Sequence, residues 1–171
     1  MNIRAAVAAD ARGIAEVHVR SWQAAYRGQI PASVLAALSV DARAKWWEQT
    51  LGSPANRVLV ADAAPRIVAF VNFGPLRDDD ADRDSVAEVY AIYCLAEFWD
   101  RGIGRGLMEA ALVSLRHLDF AAVKVWVLDT NRRAIAFYRK LGFSADGAEK
   151  VEQREDYQIR ELRYSRNLHA G

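Results

Sequence analysis

The chain has 171 residues, of which 52% are hydrophobic and 26% are charged, and its formal net charge is +1. A charge so close to zero excludes strong electrostatic attraction to nucleic acid or to an anionic membrane, and no apolar run reaches the roughly 20 residues that span a bilayer. The length predicts a single domain over residues 1–171 with one solid core. The N-terminal residues lack the apolar stretch of a signal peptide, so we expect a cytoplasmic protein.

The first half of the chain begins with a short strand and then helices. Residues 2–6 predict an edge strand. Asp10 predicts the N-cap of a first helix that runs to about Arg27, with Gly28 as its stop. Two shorter helices follow, one that begins at Pro31 and one that is capped by Ser39.

A change of period marks strands after residue 56. Runs rich in Val, Ile and Phe predict a hairpin of two antiparallel strands, 57–61 and 66–73. The segment 76–84 that follows holds five aspartates and two arginines. This composition predicts a solvated loop that lies over the entrance to a site.

The second half alternates strands and helices before a final hairpin. The predicted elements are strand 86–95, helix 103–118, strand 122–128, helix 132–141 and a hairpin of strands 149–154 and 157–167. Early helices, an antiparallel hairpin and a later parallel crossover together predict an α/β fold, a mixed sheet with helices on both faces.

Three glycines, at 102, 104 and 106, lie where the helix after strand 86–95 begins. A helix start offers unpaired backbone N–H groups and the positive end of the helix dipole, so it favours bound anions. Missing Cβ atoms let a phosphate approach the backbone closely, and Arg101 and Arg105 add positive charge beside the turn. The segment therefore predicts a site for a phosphate-bearing ligand.

Two other glycine signatures compete for this segment. A P-loop requires G-x-x-x-x-G-K-S/T, a run that the chain does not contain. A dinucleotide fingerprint requires G-x-G-x-x-G, in which Gly102 and Gly104 fit but Leu107 stands at the third position. Asp129 closes the next strand, as such a fingerprint needs, although the motif lies in the middle of the chain.

The segment resembles motif A of the GNAT N-acetyltransferase superfamily, Gln/Arg-x-x-Gly-x-Gly/Ala. Residues 99–104, Trp-Asp-Arg-Gly-Ile-Gly, stand in register with it, and Trp99 departs from the pattern at the first position. Asn131 at a strand end, followed by Phe-Tyr-x-x-Leu-Gly-Phe at 137–143, resembles motif B. The resemblance extends over the whole chain, including the opening Ile3-Arg4-x-Ala6 and the last strand.

The resemblance implies the GNAT fold, a mixed and mostly antiparallel sheet in which one parallel strand pair splays apart. It implies transfer of an acetyl group from acetyl-CoA to a primary amine of a small molecule or peptide, in a ternary complex and without a metal. It does not identify the acceptor. A CoA-sensing module without turnover, another acyl group and a hydroxyl acceptor stay open as alternatives, and the C-terminal hairpin is a surface through which such proteins form homodimers.

The resemblance also implies which residues hold the cofactor. The strand before motif A should bind pantetheine through its backbone, the glycine turn should bind the pyrophosphate, and the asparagine should bridge to pantetheine or cap the next helix. The implied cofactor-binding residues are Ile92, Tyr93, Cys94, Trp99, Asp100, Arg101, Gly102, Ile103, Gly104, Arg105, Asn131 and Tyr138. Cys94 is expected to be a buried thiol and not a nucleophile, because no histidine is placed to activate it.

Two residues are predicted to be catalytic. Tyr138 matches the family tyrosine that donates a proton to the departing CoA sulfur; the alternative is a tyrosine packed on the sheet. Glu88 is the candidate base, acting directly or through a water, and we expect apolar surroundings that raise its pKa. The alternatives are an exposed carboxylate at the start of the strand and a counter-charge for the amine.

His18, Trp22 and Tyr26 recur every four residues on the first helix. Aromatic side chains on the first helices of GNAT proteins border the acceptor pocket, where they can stack on a substrate or enclose its amine. We therefore predict that Trp22 and Tyr26 contact the substrate, against the alternative that the whole stripe belongs to the core. No spacing of His, Cys, Asp and Glu predicts a metal site.

Overall fold

The computed structural model describes residues 2–169, which form seven strands and five α-helices. The strands are β1 (Asn2–Ala5), β2 (Arg57–Ala63), β3 (Arg66–Pro75), β4 (Val86–Cys94), β5 (Ala122–Leu128), β6 (Ser144–Gln153) and β7 (Gln158–Asn167). The helices are α1 (Ala11–Ala25), α2 (Ala32–Ala36), α3 (Val40–Leu51), α4 (Ile103–His117) and α5 (Arg132–Lys140).

The strands form one sheet in the order β1-β2-β3-β4-β5-β7-β6. Every neighbouring pair is antiparallel except β4 and β5, which the crossover helix α4 joins in parallel. The predicted mixed, mostly antiparallel sheet is therefore confirmed. The last hairpin starts earlier than predicted, at Ser144. A register shift between Ala145 and Glu149 separates this early part of β6 from the part that was predicted.

Both faces of the sheet are covered around β3. Four consecutive residues, Val68 to Val71, are fully buried although successive side chains point to opposite faces. Helices α1 and α4 both contact β3, and α3 packs on α1. The core therefore lies on two sides of the strands that lead into β4.

Local capping signals gave mixed results. The Ser39 hydroxyl accepts a hydrogen bond from the backbone N–H of Ala42 and caps α3, as predicted. Asp10 precedes α1, but its side chain makes no cap hydrogen bond to that helix. The Asp10 carboxylate instead accepts from the backbone N–H of Val7 at 2.8 Å and from Arg4 at 2.7 Å.

The acidic segment 76–84 is not simply a solvated loop, and this expectation is corrected. Leu76 is fully buried. The Asp78 carboxylate accepts hydrogen bonds from Trp126 of β5 at 2.9 Å, from Lys150 of β6 at 2.7 Å and from Arg163 of β7 at 3.0 Å. The sheet brings these donors together from distant parts of the chain, and they tie the segment to the β5–β7–β6 side.

Within residues 2–169, no helix combines the length and the apolar character that crossing a bilayer requires.

Candidate active site

Strands β4 and β5 pair only over their first halves. Their register runs from Val86 opposite Ala122 to Val89 opposite Val125, yet β4 continues to Cys94 and β5 to Leu128. Beyond Val89 the strands diverge, so the backbone of β4 on the β5 side loses its strand partner. An edge of this kind can pair with an extended ligand as it would with another strand.

The divergence opens a cavity of about 770 Å³. Its wall is formed by α1, β4, the start of α4, β5, α5, β6 and β7. We use the term β6–β7 end for the part lined by Trp126, Lys150, Glu152, Arg154, Ile159 and Glu161. The volume is within the range typical of pockets for small molecules and cofactors.

The start of α4 forms one end of the cavity. Gly102 precedes the helix in the left-handed conformation, with φ of +78°, and no side chain caps the first turn. A Cβ atom at Gly102 would meet no protein atom within 4 Å, and one at Gly104 would make only an ordinary contact with Phe137. The space beside Gly102 is therefore open at a helix start whose first N–H groups have no partner within the helix, the arrangement that binds a phosphate.

Gly106, the third glycine of the segment, contributes to packing. A Cβ atom on Gly106 would lie 3.1 Å from the Cδ1 atom of Ile3 in β1. The prediction of an anion turn thus fits Gly102 and Gly104, whereas Gly106 lets α4 pack closely on the sheet.

The residues around the glycine turn are fixed by neighbouring contacts. The Trp99 indole N–H donates to the carbonyl of Cys94 at 2.8 Å, and the Arg133 guanidinium lies 4.2 Å from the centre of the Trp99 ring. Arg133 also pairs with Asp100 at 3.0 Å. Trp99 therefore ties the turn to the end of β4, a role that needs neither Gln nor Arg.

The two arginines beside the turn are placed differently from one another. Arg105 lines the cavity but pairs with Glu109 at 2.7 Å. Arg101 lies outside the cavity lining, with its guanidinium 5.2 Å from the centre of the Phe98 ring. Backbone N–H groups, more than these side chains, therefore create the positive end of the cavity.

Tyr138 of α5 lines the cavity and is only 6% exposed. Its ring packs against Phe137 and Phe143. Within residues 2–169 its hydroxyl makes no hydrogen bond, and burial raises its pKa above the ordinary tyrosine value. The phenol therefore stays protonated at neutral pH and can act as a hydrogen-bond donor.

Asn131 caps α5. Its Oδ1 atom accepts a hydrogen bond from the backbone N–H of Ala134 at 3.1 Å. The cap leaves the amide NH₂ group of Asn131 as a donor on the cavity wall.

Ile92, Tyr93 and Cys94 all line the cavity where β4 has left β5. Burial raises the pKa of the Cys94 thiol to about 11. A thiol with this pKa is almost entirely protonated at neutral pH, so Cys94 is a poor nucleophile.

Glu88 lies in surroundings other than those predicted. Its side chain is almost fully buried, which excludes the alternative of an exposed carboxylate at the start of the strand. Its surroundings are also not purely apolar. Arg77 donates three hydrogen bonds to it, from the backbone N–H and Nε at 3.1 Å and from Nη2 at 2.5 Å. The expected apolar environment is therefore wrong, because the segment 76–84 carries Arg77 back onto β4.

The aromatic stripe of α1 is divided between core and cavity. His18 is buried, accepts a hydrogen bond from the Trp47 indole at 3.3 Å and stacks on Tyr93. Trp22 and Tyr26 line the cavity, with their rings edge to face. The Tyr26 hydroxyl lies 3.2 Å from the Tyr93 hydroxyl.

The charged wall of the β6–β7 end was not predicted from the sequence. Lys150, Glu152 and Glu161 reach the cavity from the last hairpin. The only available signal was the alternation of β7, which places Glu161 and Arg163 on one face once the strand register is known.

Among the described residues, no group of three or more His, Cys, Asp or Glu side chains is placed to hold a metal ion.

Comparison with known proteins gives a consistent result. The sequence model of a family described as acetyltransferase (GNAT) family matches residues 16–143. YuaI of Bacillus subtilis, described as an uncharacterized N-acetyltransferase, is 34% identical over 141 residues, which cover 81% of this chain and 78% of the relative.

Two solved structures share the fold. The structure of smu.2055 from Streptococcus mutans aligns with a TM-score of 0.76 at 24% identity and covers 99% of this chain and all of the other. The structure of yncA from Salmonella typhimurium with its cofactor acetyl-CoA aligns with a TM-score of 0.75 at 19% identity, over 100% of this chain and 95% of the other.

Proposed function

Because the chain belongs to the GNAT acetyltransferase family, we propose that it transfers the acetyl group of acetyl-CoA directly to a primary amine within a ternary complex. The observation that carries this proposal is the divergence of β4 from β5 beside an uncapped start of α4. One extended ligand with a phosphate end fits both features. The proposal treats residues 1–171 as one catalytic domain and places the reaction in the cytoplasm.

The residues at the α4 end fit such a ligand. The space beside Gly102 is open, and the first N–H groups of α4, which have no partner within the helix, can hold a pyrophosphate there. The free edge of β4 at Ile92–Cys94 can pair with the amide groups of pantetheine, and the NH₂ group of Asn131 can donate to the same arm. Bound in this way, acetyl-CoA supplies the acetyl group as a thioester and a thiolate as leaving group.

Tyr138 is the proposed proton donor to the leaving sulfur. Its phenol is protonated at neutral pH and has no protein acceptor within residues 2–169, so it is available to a bound ligand. A thiolate has a conjugate acid with a pKa of about 8.5, well below that of this phenol. We therefore expect Tyr138 to stabilise the departing sulfur first by a hydrogen bond. It transfers its proton to the sulfur as the acceptor nitrogen supplies a new proton to the phenol.

The predicted base, Glu88, is less suited to direct proton transfer. Its carboxylate is held by three hydrogen bonds from Arg77. In this proposal Glu88 fixes Arg77 in the cavity wall, and a second group or a water removes the proton of the amine. Trp22 and Tyr26, which line the same cavity, are the proposed stacking surface for the acceptor.

The test is release of thiol from acetyl-CoA across a panel of amines, with a control without acceptor and a parallel binding titration of acetyl-CoA. Release that depends on one amine class supports the proposal. Binding without release on any amine supports a sensor without turnover, and faster release from propionyl- or succinyl-CoA supports a different acyl group. Failure to bind acetyl-CoA contradicts the proposal that the start of α4 holds the pyrophosphate.

A further inference from the structure

Among the described residues, one carboxylate at the β6–β7 end of the cavity has no partner. Glu88 is held by Arg77, and Glu152 pairs with Arg154 at 2.6 Å. Glu161, which lines the same cavity and is half-buried, forms no hydrogen bond or ion pair within residues 2–169. Burial raises the pKa of Glu161 above its ordinary value.

The strand register explains why Glu161 forms no ion pair within residues 2–169. Glu161 of β7 lies opposite Lys150 of β6 and opposite Leu128 of β5. The Lys150 ammonium is bound to Asp78 at 2.7 Å and lies 3.9 Å from the centre of the Trp126 ring. The nearest cation in register is therefore committed to another carboxylate.

The charged groups around Glu161 balance without it. Arg77 pairs with Glu88, and Arg154 pairs with Glu152. Three cations, Lys124, Lys150 and Arg163, share the three carboxylates of Asp78, Asp80 and Asp146. Glu161 consequently leaves one net negative charge at this end of the cavity. A partly buried carboxylate without a partner is unfavourable, and a bound cation would relieve that cost.

Tyr26 links Glu161 to the proposed proton donor. Burial raises the pKa of Tyr26, and the charge of Glu161 raises it further. Burial likewise raises the pKa of Tyr138, and Tyr26 adds to that effect. Glu161, Tyr26 and Tyr138 all line the same cavity, and the pKa of Tyr26 responds to the charge of Glu161 there.

We propose, on the basis of the acetyltransferase function proposed above, that Glu161 is the catalytic residue that binds the ammonium group of the acceptor and takes its proton. The preferred acceptors are then primary amines that carry no carboxylate beside the amine, because a second anion would be repelled by Glu161. Trp22 and Tyr26 provide aromatic faces for the same ammonium group.

The protons balance in this scheme. The ammonium gives one proton to Glu161, and the freed nitrogen lone pair forms a bond to the acetyl carbonyl carbon while the carbon–sulfur bond breaks. The sulfur takes a proton from Tyr138, and Tyr138 regains one from the nitrogen, which keeps a single hydrogen in the amide. Glu161 then releases its proton to solvent.

The test compares Glu161→Gln with Glu149→Gln. Glu149 is a carboxylate of the same hairpin, paired with Arg160 at 2.8 Å and outside the cavity lining. Two acceptors with the same carbon chain are used, n-pentylamine and L-norleucine, which differ by the carboxylate beside the amine. Binding of acetyl-CoA and the melting temperature are measured for each variant.

We expect wild type to prefer n-pentylamine and Glu161→Gln to lower kcat/KM for it by about 100-fold, the usual contribution of a general base. Acetyl-CoA affinity should not change. The pH profile is the sharper measurement. For wild type, kcat/KM should stay constant through neutral pH. Glu161→Gln can use only the unprotonated amine, so its kcat/KM should rise about tenfold per pH unit up to the amine pKa of about 10.

Three results would overturn the role of Glu161 while leaving the acetyltransferase proposal in place. They are equal activity of the two variants, an unchanged pH profile in Glu161→Gln, and faster transfer to L-norleucine than to n-pentylamine by wild type. Wild type that releases no thiol with any amine of the panel would overturn the acetyltransferase proposal, and the role of Glu161 with it.

Discussion

Replacing Tyr138 by Phe should separate chemistry from stability. The hydroxyl makes no hydrogen bond within residues 2–169, and the ring packs against Phe137 and Phe143 at centre-to-centre distances of 5.4 and 5.8 Å. Phe keeps this packing and removes no protein hydrogen bond, so the free energy of unfolding should change by less than about 1 kcal/mol. Loss of the donor to the leaving sulfur should lower kcat by about 10² to 10⁴-fold.

The assay measures thiol release, acetyl-CoA binding by calorimetry and thermal unfolding on the same preparations. Tyr164→Phe is the matched control. Tyr164 is also buried, lies outside the cavity lining and accepts a hydrogen bond from Arg139 at 3.3 Å. That variant should lose about 1 kcal/mol of stability and retain turnover.

Two outcomes refute the reasoning about Tyr138. Equal losses of acetyl-CoA affinity and turnover in Tyr138→Phe would show that the phenol binds the cofactor and does not serve the leaving group. Unchanged turnover would show that the tyrosine only packs against α5 and the sheet.

Three further predictions concern binding and stability. Gly102→Ala should weaken acetyl-CoA binding at least about tenfold, because it adds a Cβ atom beside the start of α4 at a position with positive φ. Gly147, with φ of +91°, also has open space around it, so Gly147→Ala should be equally strained yet bind acetyl-CoA normally. Arg77→Met should cost about 1–3 kcal/mol of stability, because it removes both guanidinium donors of the buried Glu88 and leaves only the backbone N–H of residue 77. The double variant Arg77→Met/Glu88→Gln should recover part of that loss. Arg83→Met, at an exposed arginine of the same segment, is the control, and an equal loss of stability in it would contradict the explanation. Burial lowers the pKa of His18 to about 3. Below about pH 6.5 the unfolded chain therefore binds a proton at His18 that the folded chain does not bind. The free energy of unfolding should fall by about 1.4 kcal/mol per pH unit as the pH drops from 6 to 4.5. Urea unfolding across this range should show the slope in wild type and in His117→Gln but not in His18→Gln.

Features that depend on neighbouring residues were predictable from the sequence. The periods of 3.6 and 2 located the helices and strands of the α/β sheet, and Ser39 marked the cap of α3. The glycine at 102 was needed for a local reason, because the chain turns into α4 through a positive φ.

Features that depend on distant partners were not predictable. The Asp10 carboxylate accepts from Arg4, which the sheet also holds near Asp62, so it does not cap α1. Gly106 matches an anion turn by spacing, but its missing side chain accommodates Ile3 of the first strand. The resemblance suggested Glu88 as a base, and only the path of the segment 76–84 shows that Arg77 holds it.

The sequence by itself determined the order of elements, the family resemblance and the position of the glycine turn at the start of α4, because these depend on contacts a few residues apart. Only the tertiary structure decided which charges are neutralised. The register of β5, β6 and β7 places Lys150 where it binds Asp78, and it leaves Glu161 without an ion-pair partner among residues 2–169. Pairing of this kind depends on which strands meet and in what register, and a linear sequence does not state either.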